Sequence, residues 1–494
     1  MMNKSLSQRI QPITSWLSGW FQISRNAFIF AIAYCLITTL LVYFSPRSLP
    51  AFILFLASGY LIFALKMNVK QKAVLGVVLA LLIIPVVGIR NISYLGIFFQ
   101  IAMFSGLALG LNIVVGFTGM LNLGYTAFFL VGSYLWAFFG SQQMFMLNSI
   151  PGTQPETTQY FLPANSFYLF LFLGLGLAAL VGFLLGLPVL RVRGDYLAIV
   201  TLGFGEVLRV TANNLDHPIN LTNGPQGITQ IQRPILPAGL IQALGNFLAP
   251  VVGHVATQDE FYNVFFYLLA LVIILLIILV VARLNNSRIG RAWMAIREDE
   301  LAAAAMGIPV VSYKLAAFSV GASFAGIMGV CFAATQTFVS PESFSFMQSI
   351  GVLSMVILGG IGSIPGVILG TTAVIVLNFQ VLQQLSLWLN GLRQSGAVIP
   401  IINFAWQNLS PQLDPAQYQR MLFGAILILM MIYRPEGMLP PKLRKHEKPI
   451  PGEPLPSQPI FSETVPGEPT AGKPTPTQPD GEVVGDVEAE HGAA

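Results

Sequence analysis

Apolar runs of about 20 residues recur along this chain, and each is long enough to cross a lipid bilayer. Hydrophobic residues make up 55% of the 494 positions and charged residues only 9%, whereas a soluble protein would carry far more charge. The apolar segments are continuous, unlike the alternating strands of a membrane β-barrel. The pattern therefore predicts an all-α polytopic membrane protein with about 10–12 transmembrane helices. A cytoplasmic helix is expected in addition from the charged stretch at 285–314.

Twelve segments are predicted to cross the membrane. They are residues 27–44, 50–66, 72–89, 92–116, 120–140, 166–190, 195–212, 261–283, 312–335, 347–360, 365–378 and 419–433. The tenth and eleventh are short and meet at LGGIGSIPG (358–366), where four glycines and a proline would interrupt a helix. That pair is predicted either to cross or to re-enter the membrane. Exterior loops are predicted at 141–165, 213–260 and 379–418.

The distribution of Lys and Arg predicts the orientation of the chain. If the N-terminus is cytoplasmic, 17 of these residues lie on the cytoplasmic side and 6 on the other side, and cytoplasmic loops are normally enriched in them. We therefore expect both termini inside. Three regions are predicted: residues 1–90 with about three transmembrane helices, a core at 91–440 that contains the remaining crossings, and a Pro-rich tail at 441–494. The tail composition is typical of a disordered cytoplasmic extension.

Charge is concentrated at residues 285–314, between two very apolar segments. Within it, EDELAAAAMGIP (298–309) predicts a short helix, because acidic residues suit a helix start and alanine favours the helical state. Gly307 can end this helix, and Pro309 prevents it from resuming. We expect a cytoplasmic docking helix whose small side chains leave the backbone accessible to a partner. The alternative is an ordinary loop that obeys the positive-inside rule.

Several longer stretches resemble one transporter family. They are GLNIVVGFTGMLNLGYTAFFLVGSY (110–134), RGDYLAIVTLGFGEVLR (193–209), TNGPQGI (222–228), SIGVLSMVILGGIGSIPG (349–366) and YRPEGML (433–439). Their order and spacing are similar to those of LivM-type permease subunits in the branched-chain amino acid family of ATP-binding-cassette (ABC) importers. The resemblance covers about residues 90–440.

The short helix is similar to the coupling loop of such permeases, in which Glu-Ala-Ala is followed three residues later by Gly. The alanines are Ala302 and Ala303 and the glycine is Gly307, but the acid is displaced by one position to Glu300. The resemblance implies contact with an ATPase subunit. The residues assigned to this ATPase coupling are Arg297, Glu298, Asp299, Glu300, Ala302, Ala303 and Gly307.

The resemblance also implies the assembly. Such a chain pairs with a homologous second permease, two ABC ATPase subunits dock beneath, and a periplasmic substrate-binding protein delivers the substrate. ATP and Mg are expected in the partner subunits and no cofactor in this chain, which has no G-x-x-x-x-G-K-[ST] sequence. The implied activity is alternating access for branched-chain or other neutral amino acids, without enzymatic chemistry, in a bacterial-type inner membrane.

Three polar residues are candidates for the translocation pathway. Glu206 is an acid inside a predicted crossing, where a charge is costly, and the family pattern includes it. The alternative is that Glu206 pairs with Arg209 one turn away. Asn112 and Asn122 flank GFTGM, a possible helix break, and either line the pathway or form hydrogen bonds between helices.

An exterior turn at Asn223, Gly224 and Pro225 is a candidate contact for the binding protein, although Gly and Pro also simply set turn geometry. The four histidines lack metal-ligand spacing, so neither a metal site nor a catalytic site is expected. The net charge of +4 is explained by the loops and does not indicate nucleic acid binding. Alternative functions are a permease for urea or short-chain amides, and a channel or ion-coupled transporter that works without ATP.

Overall fold

The computed structural model describes residues 24–439, apart from 46–47, 66, 91, 153–158, 190–194, 395–397 and most of 237–257 and 400–417. The tail predicted at 441–494 lies outside the described residues. The part of the predicted 1–90 region that is described contains three helical segments, and the second is short.

The described chain is almost entirely helical. The helices are α1 (Ser24–Phe44), α2 (Leu49–Ala64), α3 (Val69–Val78), α4 (Ile84–Arg90), α5 (Ile92–Asn112), α6 (Thr126–Phe139), α7 (Phe167–Val189), α8 (Asp195–Asn214), α9 (Gln258–Asn285), α10 (Arg288–Glu298), α11 (Glu300–Ala305), α12 (Val310–Gln336), α13 (Phe346–Gly359), α14 (Ile364–Val376), α15 (Leu382–Gln394) and α16 (Gln419–Tyr433). Turns of π-helix join α3 to α4 (Leu79–Ile83), extend α5 (Ile113–Phe117) and join α14 to α15 (Leu377–Val381). Strands β1 (Val398–Ile399) and β2 (Phe404–Ala405) pair antiparallel.

The helix lengths confirm the predicted all-α polytopic membrane fold. Among the described residues, eight helical segments are long and apolar enough to cross a membrane, and three shorter apolar helices accompany them. The two segments that meet at 360–363 are both among the eight, as Pro341–Gly359 and Ile364–Gln394. Their lengths favour two crossings over a re-entrant pair.

Two predicted boundaries were wrong. The fifth crossing was predicted from residue 120, but α6 begins at Thr126, and residues 118–125 have no regular helix. Gly119 has a φ of 73°, which a helix does not accommodate. The third exterior loop was predicted from residue 379, but helical structure continues through the π-turn and α15 to Gln394.

Helix α12 is the centre of the bundle, and glycines allow its neighbours to approach closely. A Cβ on Gly326 would lie 2.2 Å from the carbonyl oxygen of Gly174 in α7, and a Cβ on Gly132 in α6 would lie 2.1 Å from that of Gly326. Small residues at such crossings are the usual route to close packing in membranes. Gly110 in α5 faces Gly321 of α12 in the same way. Gly106, four residues before Gly110, faces Met328 of α12, so these two glycines of α5 with G-x-x-x-G spacing pack inside the chain.

The connections gather at the two ends of α12. Beyond Gln336, the segment at 337–345 forms an isolated β-bridge with Ile228, so the 213–236 connection lies at this end. Before Val310, the segment at 286–309 lies beside the end of α5 and the 360–363 turn. The connections predicted to be exterior and those predicted to be cytoplasmic therefore lie at opposite ends of α12, as crossings that alternate in direction require.

Candidate functional site

The charged segment at 286–309 folds as two helices, α10 and α11, that meet at Asp299. The Asp299 carboxylate accepts hydrogen bonds from the backbone N–H groups of Leu301 (2.8 Å) and Ala302 (3.0 Å), so it is the N-cap of α11. Gly307 follows the helix with a φ of 82°, a left-handed conformation that glycine tolerates. The predicted short helix is present, and the carboxylate of Asp299 is used to begin it.

The exposed surface of α11 is more apolar than expected. The side chains of Leu301 and Met306 are 69% and 83% exposed, and Ala302 is exposed beside them. Ala303 is only 4% exposed and faces the protein interior. The expectation that Ala303 would be accessible to a partner is therefore wrong, because a six-residue helix presents only part of its surface.

Two contacts fix this segment to α12. Lys314 Nζ lies 2.6 Å from Glu300 Oε2, and the lysine side chain is only 8% exposed. The fully buried Trp293 donates from Nε1 to the carbonyl oxygen of Tyr313 at 2.8 Å, and its ring stacks on Phe117. The carboxylate of Glu300 is thus paired within the chain, while its neighbour Glu298 is exposed.

A third contact reaches α5. Arg297 Nη1 donates to the carbonyl oxygen of Gly116 at 2.6 Å. Gly116 lies in the π-turn at the end of α5, where the last carbonyls of a helix have no partner further along the helix. The side chain amide of Asn112 accepts a hydrogen bond at Oδ1 from the N–H of Gly362, at 2.9 Å. The ends of α5, α10 and α13 therefore meet around these side chains.

Asn112 and Asn122 both lie in the interior at this helix break. They are 0% and 1% exposed, and their Nδ2 atoms have no hydrogen-bond partner among the described residues. Asn122 Oδ1 accepts from the N–H of Gly124 at 3.0 Å, and Thr201 Oγ1 accepts from the N–H of Leu123 at 3.1 Å. Non-helical backbone inside a membrane protein requires such internal partners.

A small cavity lies beside this break. It has a volume of about 10 Å³, and its lining includes Asn122, Thr201, Phe128, Phe204 and Phe318. A space of this size holds about one water molecule. No amino acid fits here in this conformation, so passage at this point would require the surrounding helices to move.

Glu206 belongs to an ion-pair cluster near the other end of the bundle. Its Oε2 accepts from Arg209 Nε at 2.8 Å, and Arg209 Nη1 also donates to Glu342 Oε1 at 2.8 Å. The second oxygen of Glu206 accepts from the N–H of Phe346 at 3.3 Å, at the start of α13. The local pairing with Arg209 is present, and the acid also satisfies a helix N-terminus.

The predicted exterior turn at 223–225 is held in place by the side-chain amide of Asn223. Asn223 has a φ of 58°, its Oδ1 accepts from the N–H of Gly152 at 2.9 Å, and its Nδ2 donates to the carbonyl oxygen of Gly227 at 2.8 Å. Gly224 is buried, and Pro225 is exposed. Of the three candidate contacts for a binding protein, Pro225 is the one with an exposed side chain.

Sequence reasoning missed the partners of these residues. Lys314 lies inside the predicted crossing at 312–335, and its position opposite Glu300, which the sequence pattern does not specify, depends on the turn at Gly307. Gly116, Gly362 and Trp293 gave no polar signal, because two act through the backbone and one is aromatic. In the part of the chain that the structure describes, no group of three or more His, Cys, Asp or Glu side chains is arranged to hold a metal ion.

Comparison with known proteins identifies the family. Residues 93–431 match the family described as branched-chain amino acid transport system, permease component. The high-affinity branched-chain amino acid transport system permease protein LivM of Salmonella typhimurium is 36% identical over 344 residues, covering 68% of this chain and 67% of the relative. The LivM protein of Escherichia coli gives the same identity and coverage.

A more distant relative is the LivH permease protein of Escherichia coli, 28% identical over 153 residues, which cover 31% of this chain and 40% of LivH. No solved structure matches the chain. The matched region contains α5 to α15 and most of α16. It therefore includes the charged segment at 286–309, the non-helical residues 118–125 and the turn at 360–363. The resemblance inferred from the sequence motifs is confirmed: the chain belongs to the family of permease components of branched-chain amino acid transport systems.

Proposed function

We propose that this chain is a membrane permease subunit of an ATP-driven ABC importer for branched-chain or other neutral amino acids. Membership of the permease family supports the transport role, and the names of the LivM relatives support the substrate class. The subunit works by alternating access. Its closed interior beside Asn122 belongs to one state of that cycle, since the cavity there holds only about one water molecule.

The observation that carries the coupling mechanism is the exposure of Leu301 and Met306 on a helix that is fixed to the bundle. We take these two apolar side chains as the docking contact because they are exposed within a charged segment that is predicted to lie in the cytoplasm, outside the lipid. In the proposed assembly, an ATPase subunit covers them, and ATP and Mg are bound in that subunit. The segment at 286–309 then faces the cytoplasm, as the Lys and Arg distribution predicts, with both termini on that side.

The other components of the assembly follow from the same proposal. A second, homologous permease completes the transmembrane unit, and similarity to both LivM and LivH proteins supports such a pair. Two ATPase subunits bind beneath, and a periplasmic binding protein approaches the end that carries Pro225. Asn112, Asn122 and Glu206 are the proposed polar residues of the pathway. The location is a bacterial-type inner membrane.

Affinity purification in mild detergent followed by mass spectrometry tests this proposal. The wild-type chain is expected to retain two ATPase subunits and a second permease, whereas Leu301→Glu combined with Met306→Glu should lose the ATPases. Ile219→Glu is the matched control, because Ile219 is 50% exposed at the other end of the bundle. A wild-type chain that purifies alone would instead support a channel or ion-coupled transporter.

Uptake measurements test the substrate. Cells with the chain should accumulate labelled leucine, and cells without it should not. Labelled urea, assayed in parallel, distinguishes the alternative of a urea or short-chain amide permease. Uptake of urea but not leucine would reject the amino acid assignment while leaving the importer assignment intact.

A further inference from the structure

Arg297 is the penultimate residue of α10, and its guanidinium lies beside two helix breaks, at 113–119 and 360–363, although the residue as a whole is exposed. Its Nη1 donates to the carbonyl oxygen of Gly116 at 2.6 Å. A Cβ on Gly119 would lie 3.1 Å from Arg297 Cγ, and a Cβ on Gly362 would lie 3.3 Å from Arg297 Nη1. The arginine side chain therefore lies close to Gly119 and to Gly362, and a larger residue at either position would meet it.

The first break is the end of α5. The helix widens into the π-turn Ile113–Phe117 and is followed by the non-helical residues 118–125. A π-turn is a frequent feature of functional sites, and a cation is favoured at a helix C-terminus. The guanidinium of Arg297 supplies the donor that the Gly116 carbonyl lacks within its own helix.

The second break is the turn at 360–363 between α13 and α14. Gly360 and Gly362 have φ values of 117° and 87°, so the backbone reverses there in conformations that glycine adopts. The N–H of Gly362 donates to Asn112 Oδ1 at 2.9 Å, so this turn is also joined to α5. Displacement of Arg297 would therefore act on both breaks together.

The chain connection completes the link to the exposed helix. Asp299, two residues after Arg297, is the N-cap of α11. The neighbouring anchors, Trp293 and Glu300, are hydrogen-bonded to α12, whereas Arg297 is bonded to the end of α5. Movement of α11 relative to α5 must therefore strain or break the contact of Arg297 with Gly116.

We propose that Arg297 is a positioning residue that transmits displacement of α11 to the helix breaks at 113–119 and 360–363. This inference rests on the proposed importer function. It assigns Arg297 to transmission inside the permease, whereas the sequence alone had assigned it to the surface that contacts the ATPase. The Arg297 guanidinium is hydrogen-bonded to Gly116 although the residue is exposed, and Leu301 and Met306 are the proposed docking side chains.

The test compares three variants of the intact transporter, purified with its co-purifying subunits and reconstituted in liposomes. Arg297→Gln removes the cation and Arg297→Lys keeps it. The matched control is Arg291→Gln, since Arg291 is exposed on the same helix. The readouts are recovery of ATPase subunits, ATP hydrolysis, and uptake of labelled leucine.

Arg297→Gln should keep ATPase recovery and hydrolysis within about twofold of wild type and lose about tenfold in leucine uptake, a typical coupling magnitude. Arg297→Lys should retain more uptake, and Arg291→Gln should match wild type. Unchanged uptake in Arg297→Gln overturns the proposal, and so does a parallel loss of ATPase recovery, which would make Arg297 a docking residue. If Arg297→Gln does not accumulate in the membrane, Arg297→Lys is used instead. A ratio of leucine uptake to ATP hydrolysis below that of wild type then supports the proposal, and an unchanged ratio overturns it. A wild-type complex without ATPases or leucine uptake rejects the proposed function itself.

Discussion

Lys314 and Glu300 form a 2.6 Å ion pair between the interior of α12 and the first residue of α11. The lysine side chain is 8% exposed and the glutamate side chain is 37% exposed, so the two partners are not equivalent. A buried cation that loses its partner is strongly unfavourable, whereas a partly exposed carboxylate is still solvated. The pair therefore sets the position of α11 on the bundle.

Glu300→Gln should lower the free energy of unfolding by about 1–3 kcal/mol, because it leaves the Lys314 ammonium buried without a carboxylate. Lys314→Met should cost less, and the double variant should resemble Lys314→Met alone, since the two residues are coupled. Thermal unfolding of the purified chain in detergent gives the order. Glu298→Gln, at the exposed neighbouring acid, is the control, and equal midpoints for Glu298→Gln and Glu300→Gln would contradict the prediction.

Gly326→Ala should reduce the amount of folded protein, because its Cβ would lie 2.2 Å from the backbone oxygen of Gly174. A backbone atom cannot rotate away, so α7 and α12 would have to separate, at a cost of about 1–3 kcal/mol. Gly96→Ala is the matched control within α5, where an added Cβ meets nothing within 4 Å. Detergent-resistant monomer after heating measures both, and the packing argument fails if the two variants are equally stable.

The sequence predicted most of the apolar helices, because continuous apolar runs as long as the bilayer is thick can be recognised without their partners. The seventh predicted crossing, at 195–212, forms the helix α8, but this helix is neither among the eight described segments that are long and apolar enough to cross a membrane nor among the three shorter apolar helices. The sequence also predicted the end of α11, since Gly307 and Pro309 act locally. The start of α6 at Thr126 was not predictable. GFTGM indicated a helix break, but the contacts that fix where the helix resumes, such as Leu123 with Thr201, come from a distant part of the chain.

The sequence located the short helix of the candidate site but not the contacts of its side chains. A six-residue helix is too short for a hydrophobic period to show which alanine faces inward, so the burial of Ala303 was missed. The partners of Arg297 and Glu300 lie 181 and 14 residues away, at Gly116 and Lys314. A charge count cannot distinguish an arginine on a docking surface from one that satisfies a helix end.

Ala302→Gln and Ala303→Gln should affect different properties, although the two residues are adjacent. Ala303 is 4% exposed, so a longer polar side chain there should destabilise the protein by about 1–3 kcal/mol. Ala302 is exposed, so its variant should unfold like wild type and should lower recovery of the ATPase subunits, if these bind α11 as proposed. Thermal unfolding and co-purification are measured on the same preparations. Destabilisation by Ala302→Gln would show that the exposed face of α11 has been assigned to the wrong side.

Glu206→Gln should destabilise the protein more than Glu342→Gln, although both acids bind Arg209. Glu206 also accepts from the N–H of Phe346 at the start of α13, so its loss removes a helix-terminal charge interaction of about 1 kcal/mol as well as an ion pair. The Glu342 side chain is 70% exposed, and such a pair contributes about 0–1 kcal/mol. Thermal unfolding midpoints in detergent compare the two, and an equal or larger effect of Glu342→Gln would contradict this order.

Leucine uptake normalised to folded transporter then tests the proposed pathway role of Glu206, because stability and transport are separated by that normalisation. The pathway role requires an additional loss of normalised uptake in Glu206→Gln and no such loss in Glu342→Gln. Glu342 is a suitable comparison because its carboxylate binds the same arginine, Arg209, through Nη1. Equal normalised uptake in both variants would restrict Glu206 to holding the start of α13.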